Sequence, residues 1–284
     1  MANTIIYAED WATKLQERLD APQNWKEVCR VDISNKRVLN NPYHTDPTVQ
    51  TGTRGSAYTH QGYTLTNESV TISTFKILPM LIDRADLAQT TYTDQMEMAE
   101  KQATLLNEAI ETAMLASHAS WTNFDNASIG GAAGNITVSV SNIDDIIRGI
   151  KREIREANGQ SLMNRNGAFI VWRAADFEIL EAYVQQNGFS TADMALKDGT
   201  VAGMRYMGVD HYVSNSHAAG HVFAGVKNVF HLGIVKDTYG QVVVDNEPAT
   251  AAGAVSGIGV VSRVDYAFKA WANTTGVLFD VLVA

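Results

Sequence analysis

The sequence predicts an α+β fold with one long helix, followed by a mixed segment of strands and helices and then by a strand-rich C-terminal segment. Three observations predict it. Residues 93–117 carry an uninterrupted helical pattern, residues 136–187 alternate between strand and helix, and the chain after residue 200 is rich in strands. Long separate runs of strand and helix are typical of the α+β class.

The composition limits the function classes. The chain has 284 residues, and its 22 basic and 31 acidic residues give a net charge of -9, which disfavours sequence-specific binding of duplex DNA. Cys29 is the single cysteine, so an intramolecular disulfide and a multi-cysteine zinc site are excluded. With no run of 18 apolar residues and no secretory signal pattern, we expect a soluble intracellular protein.

Residues 1–45 are predicted to form an N-terminal arm. The spacing of Trp11, Leu15 and Leu19 predicts a short helix, which Pro22 ends. The apolar residues that follow are scattered and show no period, so a core position is not expected for them. The arm could pack on its own domain or on a neighbouring subunit, and the pattern leaves both possibilities open.

Residues 46–78 are predicted to form a long β-hairpin. Apolar residues alternate with Thr and Ser from residue 64 onwards, and glycine-containing turns precede this run. The hairpin carries few large apolar residues, and an isolated hairpin is only marginally stable in water. We therefore expect it to pack on its own domain or on another chain.

Residues 93–117 predict an amphipathic helix of about 25 residues, roughly 37 Å long. No Gly or Pro interrupts it, and Thr93 is a suitable N-cap. The predicted buried stripe consists of Met96, Ala99, Ala103, Leu106, Ile110, Ala113 and Ser117. The charged residues predicted to lie off the stripe are Asp94, Glu97, Glu100, Lys101, Glu108 and Glu111.

Residues 136–187 predict the order strand, helix, strand, helix. Alternating apolar residues predict the first strand at 136–140, and isoleucines at helical spacing predict the first helix from Ile143. The run at 168–172 predicts the second strand, and Gly188 ends the second helix. Several strands with glycine-rich or asparagine-rich breaks follow after residue 200.

The sequence contains no short motif for catalysis, phosphate loops or dinucleotide binding, so no catalytic, cofactor-binding or metal-ligating residue is assigned. Basic residues form no cluster along the chain. The histidines His211, His217, His221 and His231 lie within 21 residues and are the one candidate metal cluster. A helix that would bring them together is not expected, because Gly220 and turn-forming residues interrupt the segment.

This order of parts resembles the tailed-bacteriophage major capsid proteins of the Hong Kong 97 fold. The C-terminal segments NVFHLGIVKDTYGQVVVDNEP and VSRVDYAFKAWANTTGVLFDV are also similar to such proteins. The resemblance covers essentially the whole chain and has no diagnostic short motif. It implies an N-terminal arm (1–45), an extended β-hairpin loop (46–78), a peripheral domain (79–135 and 223–284) with a spine helix (93–117), and a mixed α/β axial domain (136–222).

The resemblance implies a structural protein and not an enzyme. Many copies would assemble as hexamers and pentamers into an icosahedral shell that encloses double-stranded DNA, contacted weakly and without sequence preference. It implies a virion protein that needs no cofactor, is assembled in the host cytoplasm, and has a portal and a separate scaffolding protein as partners. The candidate intersubunit contacts are Arg54, Tyr58, Tyr63, Glu97 and Glu108.

Two features depart from some members of that family. Residues 50–75 contain no lysine, so we do not expect the covalent cross-link that some members form through this loop. The hairpin begins within about fifty residues of Met1, so we expect no fused scaffolding segment. Two alternatives remain open: an encapsulin-like bacterial compartment with the same fold, and a metal-dependent enzyme that uses the cluster from His211 to His231.

Overall fold

A computed structural model describes residues 22–62, 64–83, 92–187, 204–239, 242–245, 249–250, 253–254 and 257–284. The helix predicted around Trp11 and Leu15 lies outside these residues. The helices are α1 (Trp25–Val28), α2 (Tyr92–Leu115), α3 (Ile143–Glu156), α4 (Gln160–Asn166) and α5 (Ala174–Gln186). No helix in the described ranges is long and apolar enough to cross a membrane.

Fifteen strands occur in the described part of the chain. The first eight are β1 (Arg30–Ser34), β2 (Val38–His44), β3 (Leu65–Thr71), β4 (Thr74–Asp83), β5 (Thr122–Phe124), β6 (Ala168–Trp172), β7 (Met204–Tyr206) and β8 (Val209–Val213). The others are β9 (His221–Val226), β10 (Phe230–Val235), β11 (Val242–Asp245), β12 (Ala249–Thr250), β13 (Gly253–Ala254), β14 (Gly257–Ala270) and β15 (Leu278–Leu282).

One sheet has six strands in the order β5-β15-β9-β6-β8-β7. Helix α3 packs against it and buries a row of isoleucines: Ile143, Ile146, Ile147, Ile150 and Ile154. The predictions of α3, β6 and α5 are confirmed. The sheet combines strands of the predicted axial segment with β5 and β15 from the predicted peripheral segments, and the domain division itself stays a prediction.

The strand predicted at 136–140 is wrong, since only Ile136 forms an isolated bridge. Asn142 holds this segment in a turn instead. Its side chain accepts a hydrogen bond from the Ser139 N–H and donates one to the Thr137 carbonyl, each at 2.9 Å. Asparagine commonly bonds nearby backbone in this way, which competes with strand pairing.

The second large sheet is built around the long strand β14. Strands β10 and β11 pair with one edge of β14, and β4 pairs with the other edge over ten residue pairs. Strand β1 extends the sheet by parallel pairing with β10. The scattered apolar residues of the predicted arm therefore do reach the core: Trp25, Val28 and Cys29 are buried.

The hairpin consists of β2 and β3, paired from Val38↔Thr71 to His44↔Leu65. Its first strand lies inside the segment predicted as arm, and β4 belongs to the other sheet. Strand β2 was not predicted, because Pro42 interrupts the strand pattern of its residues. A proline is tolerated there because β2 is an edge strand and needs no hydrogen bond from that nitrogen.

The long helix is confirmed as α2, but its buried face differs from the predicted stripe. Ile110 is fully buried as predicted, whereas Ala103 is exposed and Leu106 only half-buried. Glu111, predicted to lie off the stripe, is fully buried. Its carboxylate accepts hydrogen bonds from the Trp25 N–H at 2.9 Å and from another side-chain donor near α1, so polar partners replace water.

We expect Ile110→Ala to lower the free energy of unfolding by about 2–5 kcal/mol, because the side chain is fully buried and leaves a cavity. Leu105→Ala on the same helix is the matched control. Leu105 is 37% exposed, so its truncation should cost about 1 kcal/mol or less. Urea unfolding of the unassembled subunit measures both, and equal losses would mean that the buried face of α2 is wrong.

Glu111 makes stability depend on pH. Burial raises its pKa from 4.5 to about 7, and the hydrogen bonds from Trp25 and Asn24 oppose this rise only in part. Between these values the folded chain holds a proton on Glu111 that the unfolded chain releases, so the contribution of Glu111 to stability falls as pH rises from about 4.5 to about 7. The fall is on the order of 3 kcal/mol. The lowered pKa values of the buried His211 and His217 act in the opposite direction over part of this range.

Glu111→Gln should therefore remove most of this fall, since glutamine does not ionise. Glu108→Gln, on the same helix, is the control and should keep the wild-type profile. Urea midpoints between pH 4.5 and pH 7.5 measure the effect. A stability difference between Glu111→Gln and the wild type that stays constant across this pH range would contradict the assignment.

Candidate subunit-contact surfaces

The loop that joins β2 to β3 projects into solvent. Every residue from 45 to 62 is exposed. Its two sides are nevertheless tied together: the Gln61 side chain accepts from the Thr48 N–H at 2.8 Å and donates to the Thr48 carbonyl at 2.6 Å, and Gln50 Nε2 donates to the Thr59 carbonyl at 3.2 Å. The loop is thus an ordered projection with no core of its own.

The base of the hairpin is attached to its own chain. Glu68 forms a salt bridge of 3.1 Å with Lys269 and accepts a hydrogen bond from the Ala272 N–H at 3.1 Å. Leu39 and Ile72 pack over Gly233 of β10 so closely that a Cβ there would lie 2.6 Å from Leu39 Cδ1. The base is fixed to its own chain, whereas the loop beyond it is held by hydrogen bonds within the loop.

The β14 sheet has one covered face and one uncovered face. Helix α2 packs on the covered face, where Gln102 donates to the Val260 carbonyl at 3.4 Å. Side chains alternate along a strand, so Phe75, Ile77 and Leu81 of β4 share the opposite face. They are 54%, 50% and 46% exposed.

This uncovered face extends across the sheet. Val243 of β11 is 60% exposed and lies level with Pro79 of β4, because both pair with Val261. Paired residues of neighbouring strands point to the same side of a sheet. The Arg263 guanidinium lies over part of this apolar face, 4.7 Å from the Phe75 ring centre. A face of this kind on an edge strand favours contact with another protein surface.

The predicted contact residues fall in different places. Arg54 and Tyr58 lie in the exposed loop, and Tyr58 is 75% exposed. Tyr63 lies outside the described residues. Glu97 and Glu108 lie on α2, where Glu108 is half-buried. Their role in contacts stays a prediction.

Arg54 has no ion-pair partner among the described residues of its own chain, so its charge is available to a neighbouring subunit.

The apolar face of β4 was not predicted from the sequence. Its signal was the alternation of Phe75, Ile77, Pro79 and Leu81, of which the first two were assigned to the predicted hairpin at 46–78.

The candidate histidine cluster does not form one metal site among the described residues, and its members have separate partners. His211 is buried, and its Nδ1 accepts a hydrogen bond from Trp172 Nε1 at 2.9 Å. His231 hydrogen-bonds Asp32. Burial lowers the pKa of His211 and of His217 to about 4 each, so both are neutral at physiological pH. Each histidine of the run has its own local environment.

One group of three possible metal ligands exists in the described ranges: His118, His221 and Asp280. The Nδ1 atom of His221 lies 2.8 Å from Asp280 Oδ2, and that of His118 lies 3.5 Å from the same atom. The two rings are stacked with centres 3.8 Å apart and planes 21° apart. Both Nδ1 atoms therefore face the same carboxylate oxygen, and the Asp280 carboxylate serves as the shared partner of the two rings.

Several solved structures with a similar architecture are capsids of phages or of a GTA particle. The chain superposes on the capsid of an empty GTA particle with a TM-score of 0.71 at 13% identity, over 98% of this chain and 95% of the other. For Mycobacterium phage Che8 the TM-score is 0.68 at 16% identity, over 98% of both chains. For the capsid of Ralstonia phage GP4 it is 0.66 at 8% identity, over 100% and 99%.

The chain therefore has the fold of tailed-phage capsid proteins, and the α+β, Hong Kong 97-like fold predicted from the sequence is confirmed. No family model matches the sequence, and no curated protein matches it. The likeness lies in the three-dimensional structure, at identities where the sequence alone carries little signal.

The uncovered face generates a prediction. Ile77→Thr together with Leu81→Thr should leave the free energy of unfolding within about 1 kcal/mol, because both side chains are half exposed and threonine suits a strand. The same change should lower assembly, because it removes apolar area from the contact face. Sedimentation of assembled and free protein measures it.

The matched control is Ile77→Val with Leu81→Met, which keeps the face apolar and should assemble as the wild type does. Normal assembly of the double threonine variant would show that this face is not a subunit contact.

Proposed function

We propose that the chain is a major capsid protein, the repeated subunit of an icosahedral shell around double-stranded DNA. One observation carries the proposal: the chain shares its fold from end to end with phage capsid subunits, over 98% or more of its length. The match also covers 95% or more of each of these capsid chains.

The two surfaces described above support this role. The loop at 45–62 is exposed throughout, the uncovered face of β4 and β11 carries half-exposed apolar side chains, and both suit a second copy of the chain. Copies arranged as hexamers and pentamers would offer each loop a neighbouring subunit. A portal, a separate scaffolding protein and assembly in the host cytoplasm belong to the same proposal.

Polar contacts would add to this surface. Arg54 at the loop is positioned to reach an acidic group of a neighbour, and Glu97 or Glu108 of α2 are candidates. An exposed ion pair of this kind is worth about 0–1 kcal/mol. Tyr58 and Tyr63 would supply aromatic area at the same contact, and repetition over many copies multiplies each small term.

The genome would be contacted weakly and without sequence preference. The net charge of -9 works against a high-affinity lining for a polyanion. Confinement, and not high-affinity binding, would keep the DNA inside.

Two other functions are not favoured. An encapsulin-like compartment has the same fold, but the similar capsids named above come from phages and a GTA particle. A metal-dependent enzyme would need the cluster from His211 to His231, whose members have separate partners. The geometry supports a structural role.

The loop provides the sharpest test of assembly. Replacing residues 46–63 by Asn-Gly, a favoured two-residue hairpin turn, should keep β2 and β3 paired, since the base contacts of Glu68 and Ile72 remain. We expect a folded subunit with an unchanged unfolding midpoint that forms no closed shells. Circular dichroism and sedimentation velocity measure the two properties.

Arg54→Gln alone is the milder companion variant, and it should assemble with a shifted salt dependence. Closed shells from the loop-replacement variant at wild-type yield would falsify the role of the loop as a contact between subunits.

A further inference from the structure

A cavity of about 570 Å³ opens at the end of the six-stranded sheet, away from the hairpin and the β4 face. Its walls come from the second half of α3, from α4 and from the β7–β8 turn. The cavity is polar, and none of its lining residues belongs to the surfaces described above.

The lining is strongly basic. It contains Lys151 and Arg155 of α3, Arg165 of α4 and Arg205 of β7, against the single carboxylate of Asp210. Four cations and one anion give a local formal charge of +3, in a chain whose net charge is -9. The sequence showed no basic cluster because these residues lie up to 54 positions apart, and only the fold brings them together.

The carboxylate of Asp210 already has two cationic partners. Its Oδ2 lies 2.7 Å from Lys227 Nζ, and its Oδ1 lies 3.6 Å from Arg205 Nε. Lys151, Arg155 and Arg165 have no carboxylate partner in the described part of the chain. Burial, and then the charge of Arg155, lowers the pKa of Lys151, as expected for a cation beside an unneutralised cation.

Hydrogen bonds orient these side chains. Arg155 Nε donates to Gln160 Oε1 at 2.9 Å, and Gln160 Nε2 donates to Asn164 Oδ1 at 2.6 Å. Lys151 Nζ donates to the Met207 carbonyl at 2.6 Å. The bond to Gln160 uses only Arg155 Nε, so the N–H groups of the two terminal guanidinium nitrogens remain available to a ligand. A guanidinium can donate two parallel hydrogen bonds to the oxygens of one phosphate.

We infer that this cavity binds a phosphate-bearing polyanion, held by Arg155 and Arg165 with Lys151 as a further charge. Three unpaired cations match a compound that carries several negative charges better than a single carboxylate. The phosphates could belong to a free polyphosphate or to the backbone of DNA. The DNA source rests on the proposed capsid function, whereas the free source does not.

The test uses the full chain and two probes, sodium tripolyphosphate and a short duplex of random sequence, at low salt. The test variant is Arg155→Gln with Arg165→Gln. The control is Arg148→Gln with Arg152→Gln, which removes the same charge from exposed positions of α3 outside the cavity. All four arginines are exposed, and thermal melting of each variant checks that it folds.

We expect saturable binding of tripolyphosphate by the wild type, about tenfold weaker or more in the test variant, because charged hydrogen bonds are lost. The control should change it by about twofold or less, as expected for surface charges screened by salt. Binding of the duplex with the same variant pattern, displaced by tripolyphosphate, supports the cavity and assigns it to DNA phosphates.

A duplex that fails to bind while tripolyphosphate binds supports the cavity and assigns it to a free polyphosphate. That result, or the absence of shells, leaves the tripolyphosphate measurement valid, so the two proposals fail separately. No saturable binding of tripolyphosphate by the wild type, or equal losses in both double variants, would overturn the inference.

Discussion

The pairing of β14 with strands from distant parts of the chain is the interaction on which the rest of the structure depends. This strand holds β10 and β11 on one edge and ten residues of β4 on the other. Strand β4 follows the hairpin after only two residues, so this ladder also fixes where the hairpin leaves the sheet. The salt bridge from Glu68 to Lys269 attaches the hairpin to the same strand. One backbone ladder thus sets the direction of the projecting loop.

The same arrangement divides the molecule into a part that is stable by itself and surfaces that need a partner. Helix α2 covers one face of the β14 sheet, and Glu111 fastens the helix to the chain around Trp25. The opposite face, with Phe75 and Ile77, and the loop beyond the hairpin base are left exposed. Apolar faces on edge strands promote association, which is a hazard for a monomer but a requirement for a shell subunit.

Local patterns were predictable from the sequence, and long-range pairings were not. Helices α2 and α3 follow from helical periodicity, although the buried face of α2 differs from the predicted stripe, and strand β6 follows from a short apolar run. Strand β1 was missed, since it is held by parallel pairing with β10, about 200 residues away. Burial of Glu111 depends on hydrogen bonds from α1, which no helical pattern contains. The basic cavity likewise gathers side chains from three separate elements.

The central claim is that the exposed loop of one copy packs on another copy within a closed shell. Electron cryo-microscopy of particles formed by the purified protein tests it most directly. The account predicts closed shells in which density for residues 45–62 lies against a neighbouring subunit and the face with Ile77 is covered by protein. Small open oligomers, or shells in which the loop folds back onto its own subunit, would contradict it.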